Sequence, residues 1–226
     1  MKSPASRDLP VCIQRLVAAM RHTPLLNAVT LPFLIQDAGI AFDALRTFAD
    51  FDHDPALSYG RRCLWQTKHM GVYLMSWNPG DFTALHGHGH AEWGAVVFEG
   101  ETTHRSYRVQ GRSVALRDDS TIAAGTVLGV CKADYYHAMG NLGKTPFQTL
   151  HIYGAYGYAG SSTDDARVFE LEKDCISLTG GSAYVNMAES YRKSATRGID
   201  ADPETHADYL GCIRPFYERV GMAFPG

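Results

Sequence analysis

The sequence lacks any apolar stretch of about eighteen uninterrupted residues, so no membrane span is expected. It also lacks a basic run. Lys and Arg are scattered, 21 of them against 24 Asp and Glu, and the net charge of −3 offers no footing to nucleic acid or to an anionic membrane. The opening residues MKSPASRDLPVCIQ lack the long apolar core of a secretory leader. No C-x-x-C pair occurs. The five cysteines, Cys12, Cys63, Cys131, Cys175 and Cys212, are odd in number and widely spaced. They read as free thiols of a reducing compartment, so the expected location is cytoplasmic. No repeat and no low-complexity tract is present.

What is present is 226 residues, 45% of them hydrophobic, enough for one domain with a sizeable core. Val11 to Met20 carries apolar residues at helical spacing after Asp8-Leu9-Pro10, and Asp37 to Phe51 reads as a second helix. From about Tyr59 the character changes. Val72 to Trp77 is rich in strand formers and ends at the turn signal Asn78-Pro79-Gly80. Trp93 to Phe98, Thr103 to Val109, Ser113 to Leu116, Thr126 to Cys131 and Gln148 to Tyr153 continue the series, divided by Gly and polar turns. That pattern predicts an all-β sandwich or barrel and not βαβ units. Arg167 to Leu178 reads as a further strand or pair, and Pro203 to Val220 as a helix with Leu210, Ile213, Phe216 and Tyr217 on one face.

The chemistry centres on Gly80-Asp-Phe-Thr-Ala-Leu-His86-Gly-His88-Gly-His90-Ala-Glu92. Residues two apart on a strand face the same way, so His86 and His88 can aim two imidazoles at one point. A third ligand has to come from elsewhere in the chain, and His137, in Tyr135-Tyr136-His137-Ala-Met-Gly-Asn141, is the candidate. Three neutral imidazoles leave coordination positions open, as a catalytic metal requires. His90 continues the same-face pattern and reads as rim of the pocket or support behind the ligands. Three histidines suit Fe, Ni, Cu, Zn or Mn, so the residues alone do not name the ion.

These residues carry a resemblance. Gly80, five residues, His86, one residue, His88, three residues, Glu92 and then Gly100 resembles the first cupin motif, and His137 with Asn141 resembles the end of the second. Within cupins the sequence is most similar to the thiol dioxygenases, such as cysteine dioxygenase. Trp77-Asn-Pro-Gly80 looks like that family's Trp-Gly-x-Gly stretch. Thr149-Leu-His151-Ile-Tyr153 looks like its Ser-x-His-x-Tyr segment, and Tyr59-Gly-Arg61 like its Tyr-x-Arg segment. The resemblance implies a cupin jelly-roll barrel over residues 59–160. An N-terminal helical extension, 1–58, would pack on it, and 161–226 would form a partly helical C-terminal extension of the same domain. It implies Fe(II) held by His86, His88 and His137, and Arg61 pairing with a substrate carboxylate through its guanidinium fork. Tyr59 and Trp77 would line the substrate pocket. Thr149, His151 and Tyr153 would form a hydrogen-bonded chain that places the tyrosine hydroxyl beside substrate or O2.

Three departures bear on this. Where animal cysteine dioxygenases carry the cysteine that crosslinks to the tyrosine, this chain has Trp93. Glu92 stands at the spacing of the carboxylate ligand of ordinary cupins, which makes it a candidate fourth ligand. Thr149 replaces the serine. Either Arg61 or Arg62 could face inward. The expected function is iron-dependent oxidation of a small carboxylated thiol by O2, L-cysteine first, with 3-mercaptopropionate or mercaptosuccinate as other substrates. The alternatives are a diverged thiol oxygenase with another product, a cupin with three His and one Glu and unrelated chemistry, or a ligand-binding cupin without activity. No nucleic-acid or membrane partner is expected, and the sequence leaves the oligomeric state open, a homodimer being one option.

Overall fold

A computed structural model describes residues 9–131, 135–158 and 160–225. Two antiparallel sheets face each other. The first has five strands: β1 (Gly60–Gln66), β2 (Met70–Trp77), β4 (Trp93–Phe98), β7 (Val127–Cys131) and β9 (Phe147–Gly154), in the order β1-β2-β9-β4-β7. The second has eight: β3 (Leu85–His86), β5 (Thr102–Gln110), β6 (Ser113–Ile122), β8 (Tyr136–Gly140), β10 (Ala166–Glu170), β11 (Cys175–Thr179), β12 (Arg192–Arg197) and β13 (Asp200–Ala201). Their order is β12-β11-β10-β3-β8-β5-β6-β13. All pairings are antiparallel except β13 on β6. This is a jelly-roll barrel.

Both faces of the five-stranded sheet are buried, and alternation along each strand separates two cores. Tyr73, Met75 and Trp77 of β2, Val96 and Phe98 of β4, and Tyr153 of β9 point into the barrel. Val72, Leu74, Ala95, Val97, Leu150 and Ile152 point outward, beneath two helices. Those helices are α1 (Val11–His22) and α2 (Thr30–Ala38). The buried residues of α1 are Cys12, Ile13, Leu16, Val17 and Met20, the apolar stripe that the spacing predicts. Each fully buried Leu or Ile there contributes about 1.5–3 kcal/mol.

The helix expected over 37–51 is corrected. α2 lies earlier, at Thr30–Ala38, and stops at Gly39 (φ 63°), whose left-handed conformation closes the last turn. A short 3-10 helix, Phe42–Phe48, follows separately. Pro32 masks α2 in the sequence, although a proline is tolerated in the first helical turn.

The segment after residue 160 adds strands directly to the barrel. β10 and β11 form a hairpin, and β10 pairs with β3, setting Val168 opposite His86. α3 (Pro203–Arg219) then closes the barrel end. Asp202 caps it, accepting from the Thr205 backbone N–H at 2.8 Å, with Pro203 in the first turn. Its buried face carries Tyr209, Ile213, Phe216 and Tyr217.

Beneath α3 lies Glu172, which accepts from the Tyr209 and Tyr217 hydroxyls at 3.1 and 3.3 Å. Burial, with the nearby Glu170 charge, pushes its carboxyl up to about 7. The folded chain therefore keeps this proton where the unfolded chain has lost it. Stability falls as pH rises from the ordinary value of 4.5 to about 7. The loss is on the order of 3 kcal/mol. Urea unfolding should find Glu172→Gln more stable than wild type by that amount at pH 8 and nearly equal at pH 4.5. Parallel pH profiles for the two proteins would sink the assignment.

Candidate metal centre

The Asn78–Asp81 turn sets the direction of the segment that carries the histidine pair. Gly80 takes φ 85°, and its N–H donates to the Asn141 carbonyl at 2.8 Å. Asp81 is fully buried. Its carboxylate accepts from the Asn78 N–H at 2.6 Å and from Arg219 of α3, and contacts His53 Nε2 at 3.1 Å. The chain then enters β3, where His86 pairs directly opposite His137 of β8. His88 follows two residues on, facing the same way.

The three imidazoles converge. Their ring centroids lie 4.7 to 5.3 Å apart, and one ring nitrogen of each falls within 4.8 Å of the others. Burial, and after it the mutual proximity of the rings, holds His88 and His137 well below the ordinary histidine value. Burial lowers His86 to about 4. All three are neutral at pH 7, the state in which imidazole binds a metal. The residues fit a metal on two further observations. His137 Nε2 is buried with no hydrogen-bond partner, a costly arrangement that an ion would relieve. His86 Nδ1 donates to the Ala84 carbonyl at 2.9 Å, which frees Nε2 and fixes the ring.

One side chain behind the triad, His104, escaped the sequence reading, and it links His137 to Tyr135. His104 Nε2 lies 3.0 Å from His137 Nδ1 and 2.7 Å from the Tyr135 hydroxyl. His104 sits on β5, which pairs with β8 on the side away from β3. A lone histidine in Thr-Thr-His-Arg-Ser carries no motif; only the pairing of β5 with β8 reveals it. His104 is itself lowered to about 4 by burial, so it supports His137 as a neutral ring.

Glu92 does not join the triad. Its neighbour Ala91 is buried, but Glu92 is exposed, and its carboxylate accepts from the Tyr156 and Gly157 N–H groups at 3.2 and 3.0 Å. It anchors the 155–158 loop. His90 also turns aside, stacking on Tyr158 at 3.6 Å and meeting Asp165 at 3.2 Å on the rim. Gly89 (φ 61°) makes that turn, and a Cβ there would lie 2.0 Å from the Asp164 carbonyl oxygen.

One cavity gathers five of the six remaining sequence candidates beside the triad, with Thr149 behind them. Tyr59, Arg61, Trp77, His151 and Tyr153 line it together with His86, His88 and His137. Arg61 is the arginine that faces inward. Its guanidinium lies over the Tyr73 ring at 4.4 Å, its Nε is buried without a partner, and no carboxylate among the described residues pairs with it. Tyr59 stacks on Trp77 at 5.0 Å and accepts from the Ala183 N–H at 3.0 Å. Trp77 presents only its ring to the cavity, because its indole N–H donates to Thr149 Oγ1 at 2.9 Å. Thr149 Oγ1 lies 2.7 Å from His151 Nε2, and His151 Nδ1 lies 2.8 Å from the Tyr153 hydroxyl. Burial lowers His151 to about 3 and raises Tyr153 well above the ordinary phenol value, so both are neutral.

A second cavity lies across the same wall. His88, His137, Met139 and Tyr153 border both, but here the other walls are mostly apolar: Val96, Phe98, Leu128 and Val130. The triad thus stands between a chamber lined by Arg61, which no carboxylate among the described residues pairs, and a second with mostly apolar walls.

No protein-family model matches this chain, and no curated protein matches it. Solved structures do. A conserved protein with a double-stranded β-helix domain from Klebsiella pneumoniae is 20% identical over 45% of this chain and 80% of its own, with a TM-score of 0.35. A cupin superfamily protein from Desulfitobacterium hafniense is 18% identical over 43% and 78%, with a TM-score of 0.34. A recombinant oxalate oxidase in complex with glycolate is 18% identical over 48% and 56%, with a TM-score of 0.39. These likenesses bear on no residue of the site. Among the described residues, no helix is long and apolar enough to cross a membrane.

Proposed function

We propose that this chain is a mononuclear iron oxygenase of small carboxylated thiols, converting a thiol and O2 to the sulfinic acid, with L-cysteine the first substrate to try. The observation that carries the reading is the meeting of three elements on one cavity. They are three neutral histidines with open coordination positions, an arginine with no acidic partner, and a hydrogen-bonded chain ending in a tyrosine hydroxyl.

His86, His88 and His137 would hold the ion. Bound there, Fe(II) would supply the redox chemistry that lets O2 react with a thiolate. Arg61 would bind the substrate carboxylate, since its fork matches a planar anion and no carboxylate among the described residues pairs with it. Tyr59 and Trp77 would wall the substrate in. Tyr153, held by His151 and Thr149, would keep its proton and offer it as a hydrogen bond to the bound substrate. The apolar chamber suits an uncharged gas better than a charged thiol acid, which supports O2 and substrate arriving from different sides. Glu92 holds a loop, which supports the three-His set over the reading with three His and one Glu.

The test is oxygen uptake by iron-loaded protein offered cysteine, 3-mercaptopropionate and mercaptosuccinate in parallel, with products weighed by mass spectrometry. A product heavier by two oxygen atoms supports the reading, and no uptake with any thiol at full iron occupancy overturns it. Arg61→Ala should raise KM for the preferred thiol acid about 10- to 100-fold with a smaller change in kcat, the worth of a charge-assisted hydrogen-bonded pair. An unchanged KM would take the carboxylate away from Arg61.

A further inference from the structure

The chain from Trp77 to Tyr153 has a direction, and its first member sets it. An indole nitrogen can only donate, because its lone pair belongs to the ring. Trp77 Nε1–H therefore donates to Thr149 Oγ1, at 2.9 Å. The Thr149 hydroxyl is fully buried, and its one other partner among the described residues is His151 Nε2, at 2.7 Å. If His151 donated to it, the threonine proton would be left buried without an acceptor, which native interiors avoid. So Thr149 donates to His151 Nε2. A neutral imidazole has one N–H, and with Nε2 accepting, the proton sits on Nδ1. That N–H donates to the Tyr153 oxygen, at 2.8 Å. The tyrosine's own O–H proton has no partner among the described residues and is left for the cavity that His88 and His137 also line.

We propose that Trp77 is a positioning residue that fixes the proton order of the whole chain, so that Tyr153 meets a ligand as an obligate hydrogen-bond donor. The site then selects ligands that place an acceptor at that point, such as a thiolate or an anionic oxygen, and discriminates against an ammonium group placed there. Naming the ligand atom rests on the proposed function; the proton order rests on the hydrogen-bond chain alone.

The test reads the tautomer of His151 directly, by long-range 15N–1H correlation spectra of the metal-free protein. Wild type should show His151 with a protonated, pyrrole-type Nδ1 and a bare, pyridine-type Nε2. Trp77→Phe removes the only obligate donor while keeping a ring, and the ratio of Nδ1–H to Nε2–H should fall at least about fivefold, the factor that one lost buried hydrogen bond is worth. Benzothienylalanine at position 77, with sulfur in place of N–H, keeps the ring volume should Trp77→Phe fail to fold. It should show the same fall. Thr149→Ser keeps both hydroxyl functions and should keep the wild-type tautomer. An Nε2–H tautomer in wild type would overturn the proton order, and an unchanged tautomer in both Trp77 variants would overturn the role of Trp77. The spectra contain no thiol, so a failed oxygen-uptake assay leaves this result standing.

Discussion

His137→Ala is expected to abolish stoichiometric metal binding and all oxygen uptake while leaving the barrel folded. His137 faces His86 across the β3–β8 pair, and its orphaned Nε2 is the donor with the most to gain from an ion. Two histidines cannot replace three at a site where no carboxylate stands near: the group of potential donors is His86, His88 and His137 alone among the described residues. The fold should survive, because removing a buried nitrogen without a partner offsets part of the cavity cost. Linkage makes the readout quantitative. A ligand at about 1,000 times its Kd stabilises the folded state by about 4 kcal/mol. For a chain of this size that raises Tm by about 8–16 °C. Wild type should show that rise with Fe(II) or Zn(II), and His137→Ala should show none. Glu92→Ala supplies the contrast. Its carboxylate holds the Tyr156 and Gly157 N–H groups, so metal content should match wild type. Metal retained in His137→Ala, or lost in Glu92→Ala, would move the centre away from the triad.

That contrast also shows where local sequence stops being informative. The His86-x-His88 pair is legible because strand alternation has a period of two and a turn signal precedes it. The alternation of Thr149, His151 and Tyr153 is legible for the same reason. Glu92 is not, because spacing within a turn says nothing about which way the side chain points. Choosing between Arg61 and Arg62 requires knowing which face of β1 meets the barrel interior, and the five-stranded sheet is buried on both sides. In β1, Gly-Arg-Arg-Cys-Leu-Trp-Gln, two adjacent arginines precede three adjacent apolar residues, so no alternation marks the inward face. The pairing of β10 with β3 joins residues about eighty positions apart, as Val168 does with His86. No local pattern specifies a partner at that range. His104 was invisible for the same reason, since its meaning comes from the β5–β8 register and not from its neighbours in sequence.

The largest stability effect is expected one turn away from the ligands, at Asp81. Its carboxylate is fully buried and joins three segments distant in sequence: His53 from the N-terminal region, the Asn78 N–H of its own turn, and Arg219 at the end of α3. A buried charge stripped of a partner costs about 3–5 kcal/mol, more than a surface pair contributes. Asp81→Asn removes the charge, keeps one acceptor for Asn78, and leaves buried His53 without its anion. It should lower Tm by about 6–20 °C. Arg219→Ala should cost less than Asp81→Asn. Arg219 is 28% exposed and the backbone N–H still satisfies part of the carboxylate. His53 adds a pH signature. Burial opposes its charge, but the Asp81 hydrogen bond and charge hold it above the ordinary value of 6.5. Its contribution is therefore complete below that value and disappears as pH rises through the folded-state value. Wild type minus His53→Gln should accordingly shrink from pH 6 to pH 8. Because the Asn78–Asp81 turn aims the segment that ends in His86, Asp81→Asn should also weaken metal binding, although Asp81 holds no metal. Thermal melts with and without Zn(II) separate the two effects. A Tm within about 2 °C of wild type would mean that this carboxylate is not what ties the turn to α3.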